Sequence, residues 1–208
     1  MAVRSSDYVR RPGRYQEAAD LTGRLLEEEY FGVCTVKKNK TAAIELFRQL
    51  SGGKSFDEAN GHLPFERAVT FAKNFQPGDD PTCPSTKVAR DLLDFVAEEI
   101  GVDPEGDDAL ELKFYTAVGS PLDKYHKTDA FVEYKGQRVL LDVTRNPNKQ
   151  FDDSSDNRII MQELPDYGIK EERAQYATEL RKYARAVAQI FEPAEHTREI
   201  EERRVAMR

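Results

Sequence analysis

The spacing of hydrophobic positions changes from helical to alternating near residue 109. Before that point apolar residues recur every three or four positions in several segments, which predicts helices. The predicted helices cover residues 15–30, 41–50, 64–75 and 86–100. Thr41 and Ser85 stand where N-caps are expected, and Gly101 stands where a helix would end. A short strand is predicted over residues 31–36.

From residue 109 the apolar positions alternate with polar ones. Leu110, Leu112 and Phe114 follow the period of a half-buried strand. Two more strands are predicted at 128–134 and 138–144, and a long helix follows at 171–192. We therefore predict an α/β fold (an α+β mixed sheet) in the order helix, strand, strand, strand, helix, with a small antiparallel sheet over residues 109–144.

The best internal boundary is the turn-rich segment QPGDDPTCPS. It divides the chain into an N-terminal helical region, residues 1–80, and a core at residues 81–192 on which that region packs. Residues 193–208 are predicted to form a charged helical tail. A chain of 208 residues is long enough for one well-filled domain.

Charge and composition narrow the classes of function. With 31 basic and 38 acidic side chains the formal net charge is −7, so binding to nucleic acid requires a local basic patch or metal ions. The first 14 residues contain four arginines and no apolar run, which predicts neither a signal peptide nor a membrane span. We expect a cytoplasmic protein. Cys34 and Cys83 lack the spacing of a zinc site and are predicted to be buried free thiols.

The segment Tyr134–Gln137, with Lys-Gly at its centre, is typical of a two-residue hairpin turn. Such a turn pairs residues whose numbers sum to 271. In this register one face of the hairpin is uniformly apolar, while Glu133 lies opposite Arg138 on the other face. The sorting of side chains supports the register.

The same register places Asp129 directly opposite Asp142. Two like charges at this distance destabilise a sheet unless a cation or a shared proton lies between them. Mg²⁺ prefers carboxylate oxygens, so the two aspartates and the Val143 carbonyl are predicted to bind Mg²⁺ or Mn²⁺. The alternative is a pair of solvated aspartates at the end of the hairpin.

The segment TDAFVEYKGQRVLLDVT is similar to the core signature of the PD-(D/E)XK (restriction-endonuclease-like) nuclease superfamily. That signature is an aspartate, a hairpin, and then acid-x-lysine on the next strand; the matching positions are Asp129, Asp142 and Thr144. The resemblance implies a restriction-endonuclease-like core that binds one or two divalent ions and hydrolyses phosphodiester bonds of nucleic acid, first of all DNA. A homodimer is an option, since many nucleases of this fold act as dimers.

Thr144 departs from the family, because threonine cannot supply the positive charge of the motif lysine. Lys127 lies opposite Thr144 in the hairpin register, so its amine is predicted to take the vacant place. Lys149 in the next loop is the alternative. His126 and Asp123 lie near by in the sequence.

Family members also commonly take an acid from the helix before the first strand. At helical spacing Glu99 falls within the apolar stripe of the helix at 86–100, and it is predicted to assist the metal site. Other candidates are Glu98 and Asp91 on the flank of that stripe, and Glu66 on the preceding helix.

Cations on the last predicted helix are expected either to track a phosphate backbone or to form a solvated face. They are Arg173, Arg181, Lys182 and Arg185. The leading prediction is a metal-dependent nuclease. The second is a catalytically degenerate module of the same fold that binds nucleic acid or a protein partner, and the third is an unrelated α+β interaction module.

Overall fold

A computed structural model describes residues 23–103, 106–146, 148 and 157–191. These residues form a mixed α/β fold with six α-helices and a four-stranded sheet. The helices are α1 (Arg24–Phe31), α2 (Lys40–Leu50), α3 (Phe65–Lys73), α4 (Lys87–Ile100), α5 (Pro121–His126) and α6 (Arg173–Phe191). The strands are β1 (Lys113–Thr116), β2 (Ala130–Tyr134), β3 (Gln137–Thr144) and β4 (Arg158–Gln162).

The strands lie side by side in chain order. Strands β1, β2 and β3 are successively antiparallel, whereas β4 runs parallel to β3. Lys135 and Gly136 have φ angles of 47° and 79°, as expected for both central residues of a type I′ turn. The pairs from Ala130–Leu141 to Tyr134–Gln137 all sum to 271, so the predicted hairpin register is confirmed.

Helices cover both faces of the sheet. Helices α1, α4 and α6 share one hydrophobic core with the apolar face of the hairpin, including Val132, Val139 and Leu141. On the other face, α3 and α5 share a second core with Phe131 and Leu140, and α2 packs against α3. The helices predicted within the first 80 residues therefore contribute to both sides of the sheet.

Two predicted strands differ from the observed structure. Residues 31–36 form no strand, because α1 runs to Phe31 and Gly32 follows with a φ of 74°, before a 3-10 turn at Thr35–Lys37. The strand predicted from residue 109 begins only at Lys113. Leu110 lies in a 3-10 turn and is 64% exposed, because its partner strand has already entered the hairpin turn.

Two elements were missed, namely α5 and β4. Helix α5 has a local signal, because Pro121 occupies its first turn and the hydroxyl oxygen of Ser120 accepts the Leu122 N–H at 3.1 Å. Strand β4 is five residues long, and its sequence RIIMQ is too short for its period to be assigned. The prediction of a three-stranded sheet is thus wrong, because a fourth strand, β4, pairs in parallel with β3.

The structure also bears on the predicted helix caps and cysteines. Asn39 and Thr86 occupy the N-cap positions of α2 and α4, instead of Thr41 and Ser85. Cys34 is buried as predicted, but Cys83 is exposed, and both are free thiols. The start of the first predicted helix, residues 15–22, and the tail at 193–208 lie outside the described residues. No helix in the described ranges has the length and apolar character needed to span a membrane.

Candidate metal centre

Asp129 stands immediately before β2 and is held by its backbone from both sides. Its N–H donates to the Leu141 carbonyl at 2.9 Å, and its carbonyl accepts the Ala117 N–H at 2.7 Å. Its carboxylate oxygen Oδ2 also accepts the Val143 N–H at 2.8 Å. Only 3% of Asp129 is exposed. The side chain therefore lies at a defined point where β2 begins and β3 ends.

Asp142 lies on β3, one residue beyond the Leu141 position that pairs with Ala130. It is as buried as Asp129, at 3% exposure. Burial raises the pKa of Asp129 to about 8, and the charges of Asp142 and Glu27 act in the same direction, against the Val143 hydrogen bond. Without a cation, Asp129 therefore retains its proton at neutral pH.

Two further acids converge on Asp129 from distant parts of the chain. Carboxylate oxygens of Glu27, Asp123 and Asp129 all lie within 4.8 Å of one another, and we call these three residues the acid cluster. Glu27 comes from α1, whose Leu26 and Tyr30 are buried in the core. Each acid is thus carried by a different element.

The loop before α5 fixes Asp123. Asp123 Oδ2 accepts the Gly119 N–H at 2.7 Å and a hydrogen bond from Arg24 Nη1 at 3.0 Å. Gly119 has a φ of 84°, which an L-residue rarely adopts. Pro121 and Leu122, beside Asp123, are buried and anchor α5 to the second core.

Arg24 brings a positive charge to the acid cluster from the first turn of α1. Its Nη1 lies 4.0 Å from Glu27 Oε2, and its Nε donates to Glu28 Oε1 at 2.9 Å. About a third of the side chain, 33%, remains exposed. Among the described residues, the Arg24 guanidinium therefore partly offsets the negative charge of the carboxylates that it contacts.

Of the residues considered for the lysine position, the structure describes Thr144 and Lys127. Thr144 ends β3 and is buried, and its Oγ1 accepts the Asn146 N–H at 3.1 Å. Lys127 is exposed and has a φ of 51° at the end of α5, and its carbonyl accepts a hydrogen bond from Arg158. His126 Nε2 donates to the Leu63 carbonyl at 2.9 Å. Lys149 lies outside the described residues.

The acids expected from α4 and α3 have other partners. Glu99 accepts from Arg185 at 3.0 Å, and Glu98 lies 2.7 Å from Arg181. Asp91 contacts Lys87 and Tyr176, while Glu66 pairs with Arg138. Glu27, which was not predicted, joins Asp129 instead. Nothing in the local pattern EEE marks Glu27, since its direction depends on how α1 packs against the sheet.

The cations of α6 are also engaged within the fold. Besides the pairs of Arg181 and Arg185 with α4, Lys182 contacts Glu179 at 2.7 Å and Arg173 donates to the Tyr167 carbonyl at 3.1 Å. These contacts place the four cations along the α4–α6 contact and the adjoining surface. A phosphate-tracking role for them stays a prediction.

The donor set fits a hard divalent cation. All the side-chain ligands are carboxylates, and two oxygens on opposite sides of one Mg²⁺ lie about 4.2 Å apart. The oxygens of the acid cluster all lie within 4.8 Å of one another, which is of the same order as this spacing. Val143 contributes its N–H to Asp129, and its carbonyl as a ligand stays a prediction.

The geometry defines a class of site, a partly buried cluster of carboxylates that could hold a metal ion at the open end of a β-hairpin. Comparison with models of protein families, with curated proteins and with solved structures gave no match.

Proposed function

We propose that the chain is a cytoplasmic, divalent-metal-dependent nuclease of restriction-endonuclease-like fold, which hydrolyses phosphodiester bonds in nucleic acid, first of all DNA. The observation that carries this proposal is the convergence of Glu27, Asp123 and Asp129 within 4.8 Å, with Asp142 beside Asp129. A sheet that assembles buried like charges gains stability from a cation, and a phosphodiester is a substrate on which that cation can act.

The topology supports the proposal. Asp129 and Asp142 each stand one residue beyond the Ala130–Leu141 pair that ends the confirmed register, and the resemblance to the PD-(D/E)XK superfamily implies acids at these positions. Helices pack on both faces of the sheet, and a helix contributes an acid, although that helix is α1 and not α4.

The chain's own residues would act as follows. Asp129, Asp142, Glu27 and Asp123 would hold the metal through carboxylate oxygens, and the Val143 N–H keeps Asp129 in place. The metal would supply Lewis-acid activation of the phosphate and lower the pKa of water. Before binding it, Asp129 has to release the proton that its raised pKa retains. Thr144 can offer a hydroxyl but no charge.

A second candidate function follows from Thr144. A member of this fold without a charge-stabilising cation would bind nucleic acid or a protein partner without cleaving it. The substitution Thr144→Lys separates the two candidates. Cleavage that appears only in that variant indicates a degenerate nuclease, whereas cleavage by the natural chain excludes the binding-only function.

The test is a cleavage assay on linear and circular DNA, single-stranded DNA and RNA, each with Mg²⁺, Mn²⁺ or EDTA. We expect metal-dependent cleavage that is lost in Asp129→Asn and in Asp142→Asn. Glu133→Gln is a matched control, because Glu133 lies on β2 on the same face as Asp129 but is neutralised by Lys73 and Arg138. Cleavage that survives both aspartate substitutions contradicts the proposal.

A further inference from the structure

The proposed reaction needs a positive charge near the phosphate, and position 144 does not supply it. Negative charge on a phosphoryl group grows or is redistributed as hydrolysis proceeds, and a fixed cation stabilises it. The inference below rests on the proposed function, since it concerns which residue of this chain supplies that charge.

Arg24 lies at the required place. Its guanidinium forms ion pairs with Asp123 at 3.0 Å and with Glu27 at 4.0 Å, two of the three residues in the acid cluster. Lys127, the replacement predicted from the sequence, is exposed at the end of α5. Its backbone carbonyl accepts a hydrogen bond from the Arg158 guanidinium. Arg24 is therefore in direct contact with the cluster, and no such contact was predicted for it.

The orientation of the guanidinium is set before any ligand arrives. The Nε atom is held by Glu28 at 2.9 Å and Nη1 by Asp123. A Cβ atom built at Gly119 would lie 3.5 Å from Nη2, so the Gly119 backbone lies close to that end of the group. The side chain is 33% exposed, so an incoming phosphate can reach it. A planar guanidinium matches two phosphate oxygens at once.

We propose that Arg24 is a catalytic residue that contacts the non-bridging oxygens of the phosphodiester and replaces the charge of the missing motif lysine. In the hydrolysis, a water oxygen forms the new P–O bond and the ester P–O bond breaks. The proton of the water passes to solvent, and the leaving oxygen takes a proton from solvent. Arg24 transfers no proton, because a guanidinium stays protonated at every working pH.

The experiment compares Arg24→Met, Arg24→Lys and the double variant Arg24→Met/Thr144→Lys with the natural chain. Each is assayed for Mn²⁺-dependent cleavage of DNA and for its Mn²⁺ affinity, measured as the rise in Tm with Mn²⁺ concentration. Arg138→Met is the matched control, because Arg138 on β3 also bridges two acids, Glu133 and Glu66.

We expect Arg24→Met to lower kcat about 10²- to 10³-fold. Its Kd for Mn²⁺ should be equal to or lower than that of the natural chain, since a positive charge has left the acid cluster. Arg24→Lys should retain part of the activity, and Thr144→Lys should restore cleavage to Arg24→Met. Arg138→Met should change neither kcat nor Kd.

An Arg24→Met variant that cleaves at the natural rate overturns the inference while the proposed function stands. A fall in activity that Thr144→Lys does not rescue, together with weaker Mn²⁺ binding, shows that Arg24 only holds α1 against α5, and it also overturns the inference. If the natural chain neither binds Mn²⁺ nor cleaves, the proposed function itself fails, and this outcome differs from the other two.

Discussion

Replacing Asp129 with asparagine removes a titratable carboxyl group next to Asp142 and keeps an oxygen that can accept the Val143 N–H. In the metal-free protein the pKa of Asp129 is raised from 3.8 to about 8, mainly by burial and then by Asp142. A carboxyl group with a raised pKa binds its proton more tightly in the folded state than in the unfolded state. Its contribution to stability is complete below about pH 4 and is lost as the pH rises to about 8.

The magnitude follows from the shift. One pKa unit corresponds to about 1.4 kcal/mol, so the free energy of unfolding falls by that amount per pH unit between about pH 4 and pH 8. The whole shift amounts to a loss on the order of 5 kcal/mol. Asparagine does not titrate, so Asp129→Asn escapes this loss. Above pH 8 the variant should be more stable than the natural chain, although it cannot support metal binding.

The assay is urea unfolding of both proteins with EDTA at each pH from 4 to 9. We expect the difference in free energy of unfolding to grow steadily in favour of Asp129→Asn as the pH rises. Glu133→Gln, which lies on the same face of β2, should show no such divergence. Parallel pH profiles for the natural chain and Asp129→Asn would refute the reasoning, because Asp129 would then be ionised in the folded state at neutral pH.

Four other predictions follow from the same structure. Glu27→Gln should shift the Mn²⁺-dependent rise in Tm to Mn²⁺ concentrations at least tenfold higher, because the site loses one negatively charged ligand. Glu99→Gln should leave this rise unchanged. The reverse result would assign the acid contributed by a helix to α4. Mn²⁺ binding at pH 7 should release close to one proton, which calorimetry in two buffers of different ionisation enthalpy measures. Leu141→Ala, in the fully buried face of the sheet, should lower the free energy of unfolding by about 2 to 5 kcal/mol in urea unfolding. Gly136→Ala should cost about 1 to 2 kcal/mol in the same measurement, because φ is 79° there.

The predictions of the hairpin and of the end of α4, which depend on neighbouring residues, agree with the structure. The hairpin register follows from the Lys-Gly turn and from the alternation of apolar residues in both strands, and both signals lie within about 20 residues. Helix α4 ends at Gly101 as predicted, because a left-handed φ of 71° favours glycine there. The proximity of Asp129 to Asp142 follows from the same local pairing.

Predictions that needed long-range packing were incomplete. Glu99 was chosen from the stripe of its own helix, but the packing of α4 against α6 brings it to Arg185. Strand β4 is too short for its hydrophobic period to be distinctive. It is recognised only by its parallel pairing with β3. The alternation around Leu110 predicts a strand, but β2 already enters the hairpin turn at the positions where Leu110 would pair.

The amino-acid sequence by itself determined the hairpin, its register and the proximity of Asp129 to Asp142, because a two-residue turn and alternating side chains act over a few residues. Only the tertiary structure decided that Glu27 and Asp123 join them and that Arg24 accompanies them. The orientation of α1 and α5 depends on burying their apolar residues against opposite cores, and that choice is made by the whole fold.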